Sequence, residues 1–285
     1  MKEIMYDIHA GLIAGVLLVV VLAAIEGGYR LGRRTRGAAT DDDLKAHINA
    51  TQASTLGILA LILAFTFSLS LQRFDTRSDA VVDEANAIGT AYLRAQTLPA
   101  PLREESRALL RDYVDVRVKA GSLSIVEEDQ WAPLMARAGD LQNAIWERAR
   151  RAVELDPNPV PTGLFVQATN DLIDSFGRRD AAIHRHVPEV VLFLLLGTFV
   201  ITSAIVGFSG GVIGRRPPLV SFAMVALIVM LVFVVLDLDR PRRGLIVVSE
   251  KNLLDLQASM KADAGAIVAP SLPASGPRPS RGASR

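Results

Sequence analysis

The stretch Thr51–Gln96, TQASTLGILALILAFTFSLSLQRFDTRSDAVVDEANAIGTAYLRAQ, joins two halves of opposite character with no proline between them. From Ile48 to Gln72 it has no Asp, Glu, Lys or Arg, and at about 1.5 Å per residue this half outruns a hydrocarbon core of about 30 Å. From Arg73 onward, charged and apolar residues alternate through good helix formers until Pro99 and Pro101 interrupt. The pattern predicts one helix of about 45 residues that starts in lipid and continues beyond it.

Three more windows lack ionised side chains, between Asp7 and Glu26, Glu189 and Arg215, and Arg216 and Asp237. Each is long enough to span a bilayer, so the chain reads as an all-α membrane protein with four transmembrane helices. Lys2 ahead of the first run suggests a signal peptide, but Glu3 and Asp7 spoil a basic leader and the arginines behind the run read as stop-transfer, so the helix is expected to be retained. The net charge of +1, with basic and acidic residues interleaved, gives no nucleic-acid footprint. With no Cys, disulfides, thiolate nucleophiles and Cys-based metal sites are excluded.

Residues 1–28 hold the N-terminus and first span, and 29–50 form an Arg-rich connector with no visible fold, in which Asp41, Asp42 and Asp43 read as a solvated charge run. The second span is 51–72. An extramembrane helical bundle inserted between spans two and three takes 73–186. Within it Leu109, Leu110, Tyr113 and Val116 recur at helical spacing, Ser124 and Glu127 match a capping box, and Pro157, Pro159 and Pro161 break the chain before a helix from Thr162. Span three is 187–209, a short Arg-containing loop 210–218, span four 219–236, a turn and amphipathic helix 237–263, and a disordered tail 264–285. The short loops are the Arg-rich ones, so by the positive-inside rule they face the cytoplasm and the helical domain lies outside.

No constellation for catalysis stands out, and neither a cofactor nor a metal is expected. His184 and His186 are two apart, which on a helix points their rings to nearly opposite sides. The suggestive pattern is Thr66, Ser70, Arg73 and Arg77, at spacings that align two hydroxyls and then two guanidinium groups down one helix face. In an oligomer these would form an anion path below an apolar constriction at Leu59 and Ile62, with small anions such as chloride as the partner. Alternatively the hydroxyls bond their own helix and the arginines pair with Asp75 and Asp79. Gly11 with Gly15, and Gly207, Gly210, Gly211 and Gly214, permit close helix approach, so a homo-oligomer in the lipid bilayer is expected.

The stretch Ile62–Arg117, with Phe65-Thr66-Phe67, Arg73, Arg77, the segment EANAIGTAYLR from Glu84 to Arg94, and Leu98-Pro99, resembles the bacterial bestrophin-like family. The turn Leu236-Asp237-Leu238-Asp239-Arg240-Pro241 with Gly244 is similar to that family as well. The resemblance implies a bestrophin-like fold in the bacterial inner membrane and kinship to pentameric chloride channels whose second span lines the pore. It also implies a helical domain in the cytosol, opposite to the short-loop reading, while the acidic calcium clasp of bestrophins has no counterpart in DRPRRG. Glu84, Asn86, Thr90, Tyr92 and Arg94 form a candidate buried polar cluster, in which Glu84 would partner a buried Arg. The alternative function is a membrane-anchored sensor or interaction scaffold.

Overall fold

The computed structural model describes residues 8–35, 42–123, 128–156, 160–216, 219–240 and 244–268. Among them are eight α-helices: α1 (Ala10–Thr35), α2 (Asp42–Ala95), α3 (Leu102–Ser122), α4 (Glu128–Leu155), α5 (Pro161–Ile183), α6 (Glu189–Ile213), α7 (Leu219–Leu238) and α8 (Lys251–Val268). Helices α1, α2, α6 and α7 are long and apolar enough to cross a membrane. The 54 residues of α2 span about 80 Å, well over twice the thickness of a hydrocarbon core.

Two apolar clusters organise the chain. In the first, Leu17, Val21 and Ile25 of α1, Leu59 of α2, Leu195 and Phe199 of α6, and Val232 and Val235 of α7 pack together. In the second, Ile88 and Ala91 of α2 meet Leu110 and Tyr113 of α3, Leu141 and Ile145 of α4, Phe165 and Leu172 of α5, and Leu253 and Met260 of α8. Helix α2 contributes to both, which makes it the rigid connection between them.

Helices α1 and α6 run parallel and touch backbone to backbone. A Cβ on Gly28 or Gly32 would overlap the carbonyls of Ala204 and Phe208, and one on Gly207 or Gly211 those of Ile25 and Tyr29. In lipid, where apolar side chains gain nothing by meeting each other rather than acyl tails, such close backbone approach is a main source of helix association. Gly11 and Gly15, by contrast, face open space. The connector expected at 29–50 is largely helical: α1 continues to Thr35, because Gly28 and Gly32 are spent on this packing and not on a turn, and α2 has begun by Asp42. Gly214 then closes α6 in the left-handed region, φ 78°, with its N–H on the Gly210 and Gly211 carbonyls.

The turn between α5 and α6 falls at His184–Pro188, with Pro188 as the N-cap of α6. The expected capping box at Ser124 and Glu127, the breakers Pro157 and Pro159, the run at Asp41, the Pro241–Arg243 part of the last turn and the tail beyond Val268 lie outside the described residues. Helix α8 reaches further than the amphipathic segment expected to end at residue 263.

Candidate functional site

The long helix α2 has two unlike faces. At about 100° per residue, Thr66, Ser70, Arg77, Glu84 and Ile88 fall on one side, and all are buried. Ile58, Leu61, Phe65, Ser68, Gln72, Asp75, Asp79, Asp83, Asn86 and Thr90 fall on the other, and all are exposed. Phe65 is 64% exposed and Leu61 56%, large values for apolar side chains within an ordered helix. Asp75, Asp79 and Asp83 make no hydrogen bond or ion pair among the described residues.

Charge on the inward face is matched internally. The Arg117 Nε of α3 donates to Glu84 Oε1 at 2.5 Å, while Arg179 of α5 donates to Glu84 Oε2 at 2.5 Å and to Glu250 Oε1 at 2.5 Å. Two guanidinium groups and two carboxylates therefore balance in a nearly dry interior, with Arg117 stacked over the Phe176 ring at 4.7 Å. Burial alone would raise the Glu84 pKa, but the Arg117 and Arg179 charges outweigh it and hold the carboxyl below its ordinary range. Burial likewise opposes the Arg117 charge, and Glu84 beside it pulls the pKa above normal. Burial pushes the Tyr113 phenol up, aided by the Glu84 charge, and its oxygen accepts a hydrogen bond from Gln142 at 3.0 Å. Gly121 is the seat for Glu250, since a Cβ there would come within 2.7 Å of the Glu250 carboxyl carbon.

Arg77 closes the membrane end of this body. Its guanidinium donates to the Leu238 carbonyl at 3.0 Å, Asp239 at 2.8 Å, Arg185 at 3.1 Å and Ala182 at 3.4 Å. Ala182 and Leu238 lie in the last turns of α5 and α7, where carbonyls lack helical partners and the helix dipoles are negative, so one cation caps two helices. The Asp239 carboxylate accepts from the Val187 N–H at 2.9 Å. Asp237 accepts from the Leu245 and Ile246 amides at 3.0 and 2.9 Å, and Gly244 leaves room for that carboxylate. Arg240 donates to the Ile8 carbonyl, tying this turn to the start of α1.

These are the segments on which the sequence resemblance rested, and the family model described as the bestrophin-like domain matches residues 18–253. The chain belongs to the bestrophin-like family. Its fold is similar to that of a bacterial bestrophin homologue from Klebsiella pneumoniae solved with a mutation, at a TM-score of 0.61 and 13% identity, covering 88% of this chain and 97% of that one. No curated relative matches the sequence.

In this bestrophin-like chain the residues singled out from sequence do not stay together. Thr66 donates to the Ile62 carbonyl of its own helix at 2.7 Å, Ser70 is fully buried, Arg77 is the double cap, and Arg73 is half-buried at the edge of the face. The five-residue polar cluster divides four ways. Glu84 joins the four-charge network, and Tyr92 donates to Asp263 of α8 at 2.8 Å beneath Arg107. Arg94 donates to the Leu164 carbonyl at 2.9 Å, while Asn86 and Thr90 point outward. The reason is the helical period, which sets residues two apart on different sides. His184 and His186 sit in the α5–α6 turn, near the Asp180 and Asp239 carbonyls. Among the described residues no three His, Asp or Glu side chains converge as a metal site. Sequence reasoning missed Arg117 and Arg179 as partners of Glu84, Glu250 as the second partner of Arg179, and Gly28 and Gly32 as partners of Gly207 and Gly211. The glycine pair carried a readable signal, the same four-residue spacing on both helices.

Proposed function

We propose that this bestrophin-like chain assembles as a homo-oligomer in the bacterial plasma membrane and forms an ion pore lined by the outward face of α2, with the helices between spans two and three standing outside the bilayer. The observation that carries the reading is the order of side chains on that face. An apolar band of Ile58, Leu61 and Phe65 gives way to Ser68 and Gln72 and then to a column of Asp75, Asp79 and Asp83. An apolar constriction gates by dewetting, and rings of carboxylates concentrate cations at its mouth. Lipid is a poor partner for this face, because its polar residues begin while the helix is still in the apolar span.

The anion path expected at Thr66, Ser70, Arg73 and Arg77 needs those side chains on an axis between subunits. Burial within the protomer leaves Arg73 alone near the surface. The charge offered to an axis by the outward face is therefore negative, which favours a small monovalent cation over chloride. The deciding experiment is flux in liposomes under separate sodium, potassium and chloride gradients, run beside the oligomeric mass in detergent. Cation flux through a ring-forming oligomer supports this lining; chloride-selective flux lost on Arg73→Ala returns the pathway to the arginine. A monomer with no flux of either sign leaves the scaffold reading.

A further inference from the structure

The end of the membrane bundle opposite Arg77 carries a second concentration of charge, unrelated to the proposed pore lining. Arg30, Arg33 and Arg34 lie on the last turns of α1, and Arg215 and Arg216 follow α6 directly. All five are exposed. The parallel glycine packing of α1 on α6 forces these two groups together, and the left-handed Gly214 turns the chain so that Arg216 sits over the Tyr29 ring, 5.7 Å from its centroid. Arg30 pairs with Glu26 at 2.8 Å, whereas Arg33, Arg34 and Arg215 make no ion pair among the described residues. The acids on this end whose side chains are described are Glu26 and Asp43, so five guanidinium groups face two carboxylates there. In the sequence alongside, Arg36 and Lys45 are offset by Asp41 and Asp42, so the excess is not cancelled.

We infer that this cluster is a binding surface for the phosphate headgroups of anionic phospholipids in the adjacent leaflet. Three features select that partner. The α1 arginines lie one to two turns beyond its apolar window, and Arg215 and Arg216 stand directly at the end of the α6 window, which is headgroup depth. The five cations of the cluster are all guanidinium groups, whose planar forks grip phosphate oxygens two at a time. The helices that carry them are also held by a backbone-to-backbone contact, so little helix freedom is lost on binding.

The test uses the full chain purified in detergent and titrated with phosphatidylglycerol, phosphatidylcholine or inorganic phosphate, reading Tm and the lipid retained by mass spectrometry. Phosphatidylglycerol should raise Tm and stay bound, with an effect that shrinks as salt rises, while phosphatidylcholine and free phosphate do neither. Each Arg→Gln substitution among Arg33, Arg34, Arg215 and Arg216 should weaken phosphatidylglycerol binding by about fivefold. Arg178→Gln with Arg185→Gln, exposed at the other end of the bundle, should leave it intact. A salt-insensitive effect, an equal response to phosphatidylcholine, an equal response to free phosphate, or retention unchanged in Arg215→Gln/Arg216→Gln would each overturn the inference. The wild-type arms alone decide it if a variant does not fold.

Discussion

The two faces of α2 share one backbone and both carry polar and charged residues, yet they use charge in opposite ways. Inward, Arg77 and Glu84 are buried and fully engaged, one by four carbonyls and the other by two arginines. Outward, Asp75, Asp79 and Asp83 stand exposed and unmatched among the described residues. The difference separates what holds the protomer together from what it offers to its surroundings. A buried charge is tolerated only with a partner, so the inward face is constrained by stability; the outward face is free to be set by what passes it or binds it.

Adjacent residues give the sharpest break. Glu84→Gln removes the charge shared by Arg117 and Arg179 and should cost about 3–5 kcal/mol in unfolding experiments on the detergent-solubilised protein. Asp83→Asn, one residue away on the outward face, should change stability by no more than about 0.5 kcal/mol. Equal costs would mean that the two faces are not distinguished by burial at all. Arg77→Ala comes next, at about 3 kcal/mol, because it strips carbonyls at the ends of both α5 and α7 of their donor. Arg73→Ala should be nearly silent by the same measurement, and a large loss there would place Arg73 on the structural side of the comparison.

Acid should expose the same asymmetry. The Glu84 pKa in the fold lies below its ordinary value of 4.5, so its contribution is fully present above that value. As pH falls, the unfolded chain takes up a proton that the fold refuses, and the contribution disappears once pH passes through the lowered folded pKa. Wild-type stability measured from neutral pH downward should therefore drop more steeply than that of Glu84→Gln. Parallel curves would show that Glu84 is not held ionised by its arginines.

The helices were readable because their causes are local: apolar runs of spanning length, prolines at the breaks, and formers without interruption from Ala46 to Ala95. Which face of α2 looks inward was not. Both stripes repeat at helical spacing and both mix hydroxyl, charged and apolar side chains, so periodicity alone cannot rank them. The inward one is decided by partners on α5, α7 and the last turn, more than a hundred residues away in sequence. Arginine in the stripe Thr66–Ser70–Arg73–Arg77 suggested an anion path, because a guanidinium reads alike whether it will cap two helices or line an axis. Glu84 was legible as a carboxylate needing an arginine, but the sequence holds 31 Lys and Arg, and nothing local points to Arg117 and Arg179.

The smallest effect on stability should accompany the largest effect on selectivity. Asp75→Asn, Asp79→Asn and Asp83→Asn combined remove three charges per subunit from exposed positions with no internal partners, so folding should shift by no more than about 1 kcal/mol in total. If this face lines an axis, every subunit in the ring loses three charges at once, and the potential at the mouth collapses in proportion to the copy number. The sodium-over-chloride preference in liposome flux should then fall towards unity, while Phe65→Ala, acting on the apolar band alone, should raise flux of both ions without changing their ratio. The two substitutions separate charge from constriction on one helix face. A triple variant with unaltered selectivity would place α2's outward face against lipid or a partner, and not along the path of an ion.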